Sequence, residues 1–222
     1  EVNFDGADET IRSVGAASYL SIRPFTNNTR INIGNQSSAT GPLDLTDGDI
    51  ASIRQGFDYI TIGDPVADDA GGVDVLSALF NDDLVLLGQE VTVEDSLTLS
   101  QGNLRIEALQ DGDIIGNHIT LEGPVNGPAN ISLIANGSIH QAADGDITAG
   151  GTGTIDLEAS GDTITMDDGA TACTAGQNIR YSASHAVVLG SLNANGGDVS
   201  ITTAGGAVFD GGDAAPDVIA DE

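Results

Sequence analysis

Short strands with alternating apolar and polar residues return at near-constant intervals between residues 131 and 203. Four copies of this pattern begin at Ile131, Ile155, Ile179 and Val199, which are 24, 24 and 20 residues apart. The first and third residues of each copy are apolar, which places one face of each strand inside and the other in water. Self-similarity at this period is typical of repeat architectures, in which each unit buries its apolar face against the next unit.

Each repeat contains two further apolar patches. The second patch begins eight or nine residues after the first, at Ile139, Ile164, Val187 and Val208, and the third covers 147–149, 170–172 and 192–194. Three short strands joined by Gly, Asp and Asn corners fit one turn of a triangular coil. The sequence therefore predicts an all-β fold, a right-handed parallel β-helix (β-solenoid) with about 20–27 residues per coil. The longest interval, 27 residues from Leu104 to Ile131, is attributed to an outward turn at 123–128.

Within residues 43–63 the apolar positions change from the alternation of a strand to the spacing of a helix. Thr46 with Asp49 three residues later predicts a capping box, and Ile50 and Ile53 share one helical face. Gly56 is placed to end the helix in the left-handed conformation. These signals predict one short α-helix near 47–55, between a strand at Leu43 and one that ends at Gly63.

A further pattern in this segment is formed by Leu43, Leu45, Ile50, Ile53, Gly56, Phe57, Ile60, Ile62 and Gly63. It resembles a recurring motif of filamentous-haemagglutinin-like proteins, the large secreted β-solenoids of Gram-negative bacteria and cyanobacteria. The resemblance covers about a tenth of the chain closely, and the later repeats loosely. It implies a secreted, cell-surface location and a structural or adhesive role.

We expect one β-solenoid domain over 1–222, as a segment of a longer polypeptide. N-terminal strands occupy 1–42, the strand–helix–strand motif 43–63, an acidic loop outside the stack 64–83, regular coils 84–210 and an acidic tail 211–222. Within the acidic loop, periodicity leaves residues 73–80 open as helix or strand. The tail is interpreted as a linker or a frayed end, with 217–220 able to pair with the edge of another chain.

Composition limits the partners. The chain has 34 acidic residues against six basic ones, all arginine, and a formal charge of −28. This charge repels nucleic acid phosphates and anionic lipid, which disfavours nucleic-acid binding and direct membrane insertion. The expected partners are further copies or flanking repeats stacked end to end, and surface glycans. With 4% aromatic residues and no Trp, the core is expected to consist of Ile, Leu, Val and Ala.

Three Asp-Gly-Asp-Ile strings, at 47–50, 111–114 and 144–147, suggest metal chemistry. Clustered carboxylates with glycine are typical of calcium loops, which makes Asp111, Asp113, Asp144 and Asp146 the calcium candidates. The alternative is that Asp and Gly simply turn the corners of a coil.

No catalytic residue or resident cofactor is predicted. His118, His140 and His185 differ in their offset from the strand pattern, so they are not expected to form one column. The catalytic alternative is a β-helix protein that binds or degrades acidic polysaccharides, with Arg105 or Arg180 facing several carboxylates across a cleft. The scattered arginines and the negative scaffold favour the non-catalytic prediction.

Overall fold

A computed structural model describes residues 10–15, 17–26, 29–34, 43–64, 71–109, 117–212 and 216–220. All strand pairs in this part of the chain are parallel, and they stack as a β-solenoid of about six turns. The elements, in chain order, are β1 (Tyr19–Ile22), β2 (Ile31–Gly34), β3 (Leu43–Leu45), α1 (Asp47–Ala51), β4 (Tyr59–Gly63), β5 (Val73–Phe80), β6 (Leu84–Gly88), β7 (Glu90–Leu99), β8 (Leu104–Ala108), β9 (His118–Leu121), β10 (Val125–Gly127), β11 (Ile131–Ala135), β12 (Ile139–Gln141), β13 (Ile147–Ala149), β14 (Ile155–Ala159), β15 (Ile164–Met166), β16 (Thr171–Thr174), β17 (Ile179–Ala183), β18 (Val187–Leu189), β19 (Ser191–Asn193), β20 (Val199–Thr203), β21 (Val208–Asp210) and β22 (Val218–Ile219).

The stack has three faces, named here A, B and C. Face A consists of β1, β4, β6, β8, β11, β14, β17 and β20. Face B consists of β2, the first parts of β5 and β7, and then β9, β12, β15, β18 and β21. Face C consists of the second parts of β5 and β7, and then β10, β13, β16, β19 and β22. The long strands β5 and β7 bend from face B to face C.

The predicted repeat register is confirmed. Ile131 pairs with Ile155, Ile155 with Ile179, and Ile179 with Val199, so the spacings of 24, 24 and 20 residues each correspond to one turn. Leu104 pairs with Ile131, which confirms the 27-residue interval. Inward residues of β11 and β14 are buried and alternate with partly exposed ones, as the pattern requires.

The core is mainly Ile, Leu, Val and Ala, but two rings enter it. Tyr181 and Phe80 are the largest fully buried side chains among the described residues. Tyr181 lies in the inward column of face A, between Leu157 and Ile201 on the neighbouring strands. Its ring fills space that aliphatic residues fill in the other turns.

Helix α1 has the predicted start and an earlier end. The Thr46 side chain accepts from the Asp49 N–H and the Asp49 carboxylate accepts from the Thr46 N–H, which forms the capping box. The helix ends at Ala51 and not near residue 55, because the next residues pair with the N-terminal segment. Ile11 donates its N–H to the Ser52 carbonyl (2.8 Å) and accepts from the Arg54 N–H (2.7 Å). Gly56, at φ 123°, therefore lies beyond the helix.

Three segments expected outside the stack form strands in it. Residues 73–80, placed in the acidic loop, form β5, which pairs with β2 and β7. The expected outward turn at 123–128 contains β10, and the expected tail contains β22, which pairs with β19 of the same chain. Residues 110–116 of the predicted regular coils at 84–210 lie outside the described residues. In each of these three strands, neighbouring strands supply the backbone hydrogen-bond partners. A short or acidic sequence does not by itself indicate that such partners exist.

Candidate functional site

The inward columns lose their cover at the C-terminal end of the stack. Ile179 on face A and Val187 on face B are fully buried. One turn later Val199 and Ile201 are only partly buried, and Val208 of face B is 46% exposed. Val218 on face C is 42% exposed. Positions that form core from β4 to β19 therefore meet solvent here, and we call β20, β21 and β22 the open end.

The backbone hydrogen bonds between successive turns also stop at the open end. In each turn the first inward residue of face A donates its N–H to the following turn: Ile131 to the Thr154 carbonyl (2.9 Å), Ile155 to Asn178 (3.1 Å) and Ile179 to Asp198 (2.9 Å). Val199 occupies the equivalent position in β20. Within the described residues no strand pairs with the far edge of β20 on face A. The open end thus presents an apolar ladder together with strand edges that can accept another strand.

The N-terminal side is covered at β2 and β5, whereas the outer edge of β1 on face A has no strand partner among the described residues. Strand β3 pairs along β2, and α1 packs against β2, β3 and β5. Ile50 and Ile53 of this segment are 9% and 8% exposed, and they cover Ile60 and Phe80 of the first complete turn. The capping box and the bridge to Ile11 hold this cover in place. The two ends of the described stack are therefore chemically different.

The calcium candidates do not come together in the described residues. Asp111 and Asp113 lie outside them. Asp144 is exposed at a turn, whereas Asp146 Oδ1 accepts hydrogen bonds from the N–H (2.8 Å) and Oγ1 (2.7 Å) of Thr171. No group of three His, Cys, Asp or Glu side chains able to hold a metal ion occurs in the described ranges. Asp146 thus joins two turns of the stack.

We expect calcium removal to leave the stability of the fold unchanged, since Asp146 already uses Oδ1 for Thr171. Melting followed by circular dichroism, with calcium and with a chelator, checks this. Replacing Asp146 with alanine is the control, because it removes both hydrogen bonds and should cost about 1–3 kcal/mol in either buffer. A melting temperature that falls by several degrees with chelator alone would restore the calcium hypothesis.

The three histidines form no common column. His118 Nδ1 contacts Ser138 Oγ (2.9 Å), His140 Nε2 contacts Asp167 Oδ1 (3.0 Å), and His185 lies near Asp162. His140 is paired in the sheet with Thr120 and Thr165, so neither neighbour in its column is a histidine. The predicted mismatch of their offsets is confirmed.

Arg30, Arg105 and Arg180 form ion pairs with carboxylates on the same or neighbouring strands. On face A, Arg180 donates to both oxygens of Asp156 (2.7 and 3.0 Å) and to Glu158 (3.0 Å), and these hydrogen bonds raise the pKa of the guanidinium. Asp156 is its direct partner in the sheet, so the pairs lie along an open face and not across a cleft. Arg105 pairs with Glu107 on its own strand. Arg30 is bound mainly by Asp74, and this hydrogen bond raises its pKa.

One column of polar residues on face A was not predicted from the sequence. The residues just before β6, β8, β11, β14, β17 and β20 are Asp83, Asn103, Asn130, Thr154, Asn178 and Asp198. Side-chain oxygens in this column accept backbone N–H groups of the next turn, as Asn130 Oδ1 does from Thr154 (3.0 Å) and Asn178 Oδ1 from Asp198 (3.0 Å). Alignment of the repeats at the first inward residue would have revealed it.

The chain matches no protein-family model, no curated protein and no solved structure. The described residues contain no helix long and apolar enough to cross a membrane. The geometry of the chain itself is therefore the basis for inferring its function.

Proposed function

We propose that this protein is an extracellular structural and adhesive module that builds a rod by stacking β-coils, without catalysis. The motif at 43–63 supports an origin among filamentous-haemagglutinin-like secreted proteins and a cell-surface location. The strongly acidic surface suits a soluble exported rod and opposes nucleic acid and membrane partners. The partners are further copies or flanking repeats of the same polypeptide, together with surface glycans.

The observation that carries this proposal is the open end. Four inward residues there, Val199, Ile201, Val208 and Val218, are partly or largely exposed, in columns that are buried from β4 to β19. An added coil would bury them and pair the edges of β20, β21 and β22. At the opposite side β3 covers β2 and α1 packs against β5, which leaves the outer edge of β1 on face A without a strand partner among the described residues. At the C-terminal end β20, β21 and β22 all lack a further strand, so addition occurs there. Two copies that meet through this same surface close a symmetric pair, whereas flanking repeats extend the rod.

We expect the isolated chain to self-associate at high protein concentration, and Ile201→Lys to abolish this association. A lysine in the inward column at an edge places a charge where the added coil must pack. At the open end its side chain can still reach water in the monomer, so the fold survives. Size-exclusion chromatography with light scattering measures the mass, and electron micrographs show whether pairs or longer rods form.

Thr202→Lys is the matched control. Thr202 is the next residue of the same strand and points outward, so the variant adds the same charge without entering the column. It should associate as the parent chain does. Added salt should strengthen association of the parent, since it screens repulsion between two highly acidic copies. A parent that stays monomeric at every salt and protein concentration, or two variants that behave alike, would contradict stacking through the open end.

A further inference from the structure

Two of the three tyrosines lie together on the outer surface of face A. Tyr19 and Tyr59 are direct partners in the β1–β4 pair, with ring centroids 4.4 Å apart and planes inclined by 35°. They are 60% and 40% exposed. The chain has no Trp, and its third tyrosine, Tyr181, is buried. Nearly all of the exposed tyrosine surface is therefore concentrated at one place on a largely polar surface.

A shallow trough of about 220 Å³ lies beside Tyr59. Leu84 and Val85 of β6 lie along its floor, where Val85 supplies the apolar side chain because that of Leu84 is buried in the core, and Asn103 and Arg105 lie on the side away from Tyr59. The walls stand on β4 and β8 with β6 between them, so they are separated by two strand spacings, about 10 Å. Clefts for drug-sized ligands occupy about 300–1,000 Å³, so this trough suits a single ring and not a larger molecule.

The polar groups of the trough are held in position. The Asp83 carboxylate, at the edge of the floor, accepts from the Asn103 N–H and from Asn103 Nδ2, both at 3.0 Å. Arg105 is oriented by its ion pair with Glu107. Carboxylate and carboxamide oxygens can still accept, and the guanidinium has further N–H groups to donate. The trough thus offers an aromatic wall and an aliphatic floor, with fixed donors and acceptors at the rim.

A ligand that fits this lining has apolar C–H faces and a rim of hydroxyl groups, which are the properties of a pyranose ring. Charge selects among sugars. Asp83 and Glu107 together outweigh the one cation, Arg105, and the chain carries a formal charge of −28. An anionic sugar is repelled here, whereas a neutral one is not.

We propose that the trough between Tyr59 and Arg105 binds one neutral hexopyranose unit of a glycan. The inference gives the adhesive part of the proposed function a ligand class. It does not require stacking, because the trough lies near the N-terminal end of face A.

The experiment is a titration of the folded chain followed by two-dimensional NMR, with the neutral disaccharides maltose and lactose as probes. We expect saturable shifts at residues around the trough, with dissociation constants in the millimolar range. Tyr59→Ala should weaken binding at least about tenfold, because it removes one wall. Val85→Gln, which fills the floor and leaves the tyrosines in place, should have the same effect if Tyr59→Ala proves poorly folded.

Phe25→Ala is the matched control, because Phe25 is a fully exposed ring outside the trough and its loss should leave binding unchanged. All titrations are repeated on the Ile201→Lys chain, so that a failure to stack and a failure to bind sugar are seen separately. Galacturonate, which is an anionic sugar, and a proline-rich peptide are titrated in the same way for comparison. Tighter binding of either one than of the neutral sugars would overturn the proposal, as would the absence of saturable shifts with both disaccharides.

Discussion

Replacing Gly63 with alanine should destabilise the solenoid by about 4 kcal/mol or more, in the range seen only for severe single substitutions. Gly63 ends β4 with φ at 108°, a conformation that side chains other than glycine rarely adopt. A Cβ atom there would lie 1.8 Å from the Leu87 carbonyl oxygen of the next turn. Because that oxygen belongs to the backbone, the two turns would have to separate.

Gly56→Ala separates the two causes of this loss of stability, which are the positive φ and the clash with the Leu87 carbonyl oxygen. Gly56 also has positive φ, 123°, but a Cβ atom there meets nothing within 4 Å. It should therefore show only the conformational cost, about 1–2 kcal/mol. Urea unfolding followed by far-ultraviolet circular dichroism compares the two variants, and hydrogen exchange at residues 84–88 shows whether the damage begins at the neighbouring turn. Equal losses in both variants would mean that close stacking at Gly63 contributes little.

The register of the solenoid could be predicted because parallel stacking repeats one constraint in every turn. Inward residues of successive strands lie directly above one another, so Ile131, Ile155, Ile179 and Val199 had to recur at the interval of one turn. The start of α1 could also be predicted, since Thr46 and Asp49 satisfy the first N–H groups of the helix locally. Both signals depend on residues close in sequence or on a regular spacing.

The errors occur where distant residues decide the structure. Helix α1 ends early because the backbone around Ile53 pairs with Ile11, which is 42 residues away in sequence. Residues 73–80 join the stack because β2 and β7 flank them, although their apolar residues alternate poorly. The same limit applies to the candidate sites. The open end depends on whether another strand covers β20, and the tyrosine pair brings together residues that are 40 positions apart.

Replacing Tyr181 with alanine should cost about 3–5 kcal/mol, the range for removing a buried aromatic side chain. Tyr181 is fully buried in the inward column, and its hydroxyl donates to Gln141 Oε1 at 3.1 Å. Gln141, itself fully buried, donates from Nε2 to the Thr171 carbonyl at 2.7 Å. The ring fills the interior, and the hydroxyl satisfies a polar group that has no access to water.

Tyr181→Phe distinguishes these two roles. It keeps the ring and removes the donor, so Gln141 Oε1 loses its partner at a cost of about 1–3 kcal/mol. Gln141→Leu and the double variant complete a cycle, in which a coupling energy of about 0.5–3 kcal/mol is expected for directly bonded side chains. Additive losses in urea unfolding would show that the hydroxyl contact contributes no stability. A small loss in Tyr181→Ala would show that the interior closes around the missing ring.

The same residue should make stability fall at alkaline pH. Burial raises the pKa of the Tyr181 phenol above its usual value of about 10. Above that pH the unfolded chain releases this proton and the folded chain keeps it. The stabilising contribution is therefore complete below about pH 10 and decreases by up to about 1.4 kcal/mol for each further pH unit. Unfolding free energies measured from pH 9 to pH 11 should decrease more steeply for the parent than for Tyr181→Phe, because the variant has no phenol to ionise at this position. Parallel curves for the two proteins would contradict a buried, protonated Tyr181.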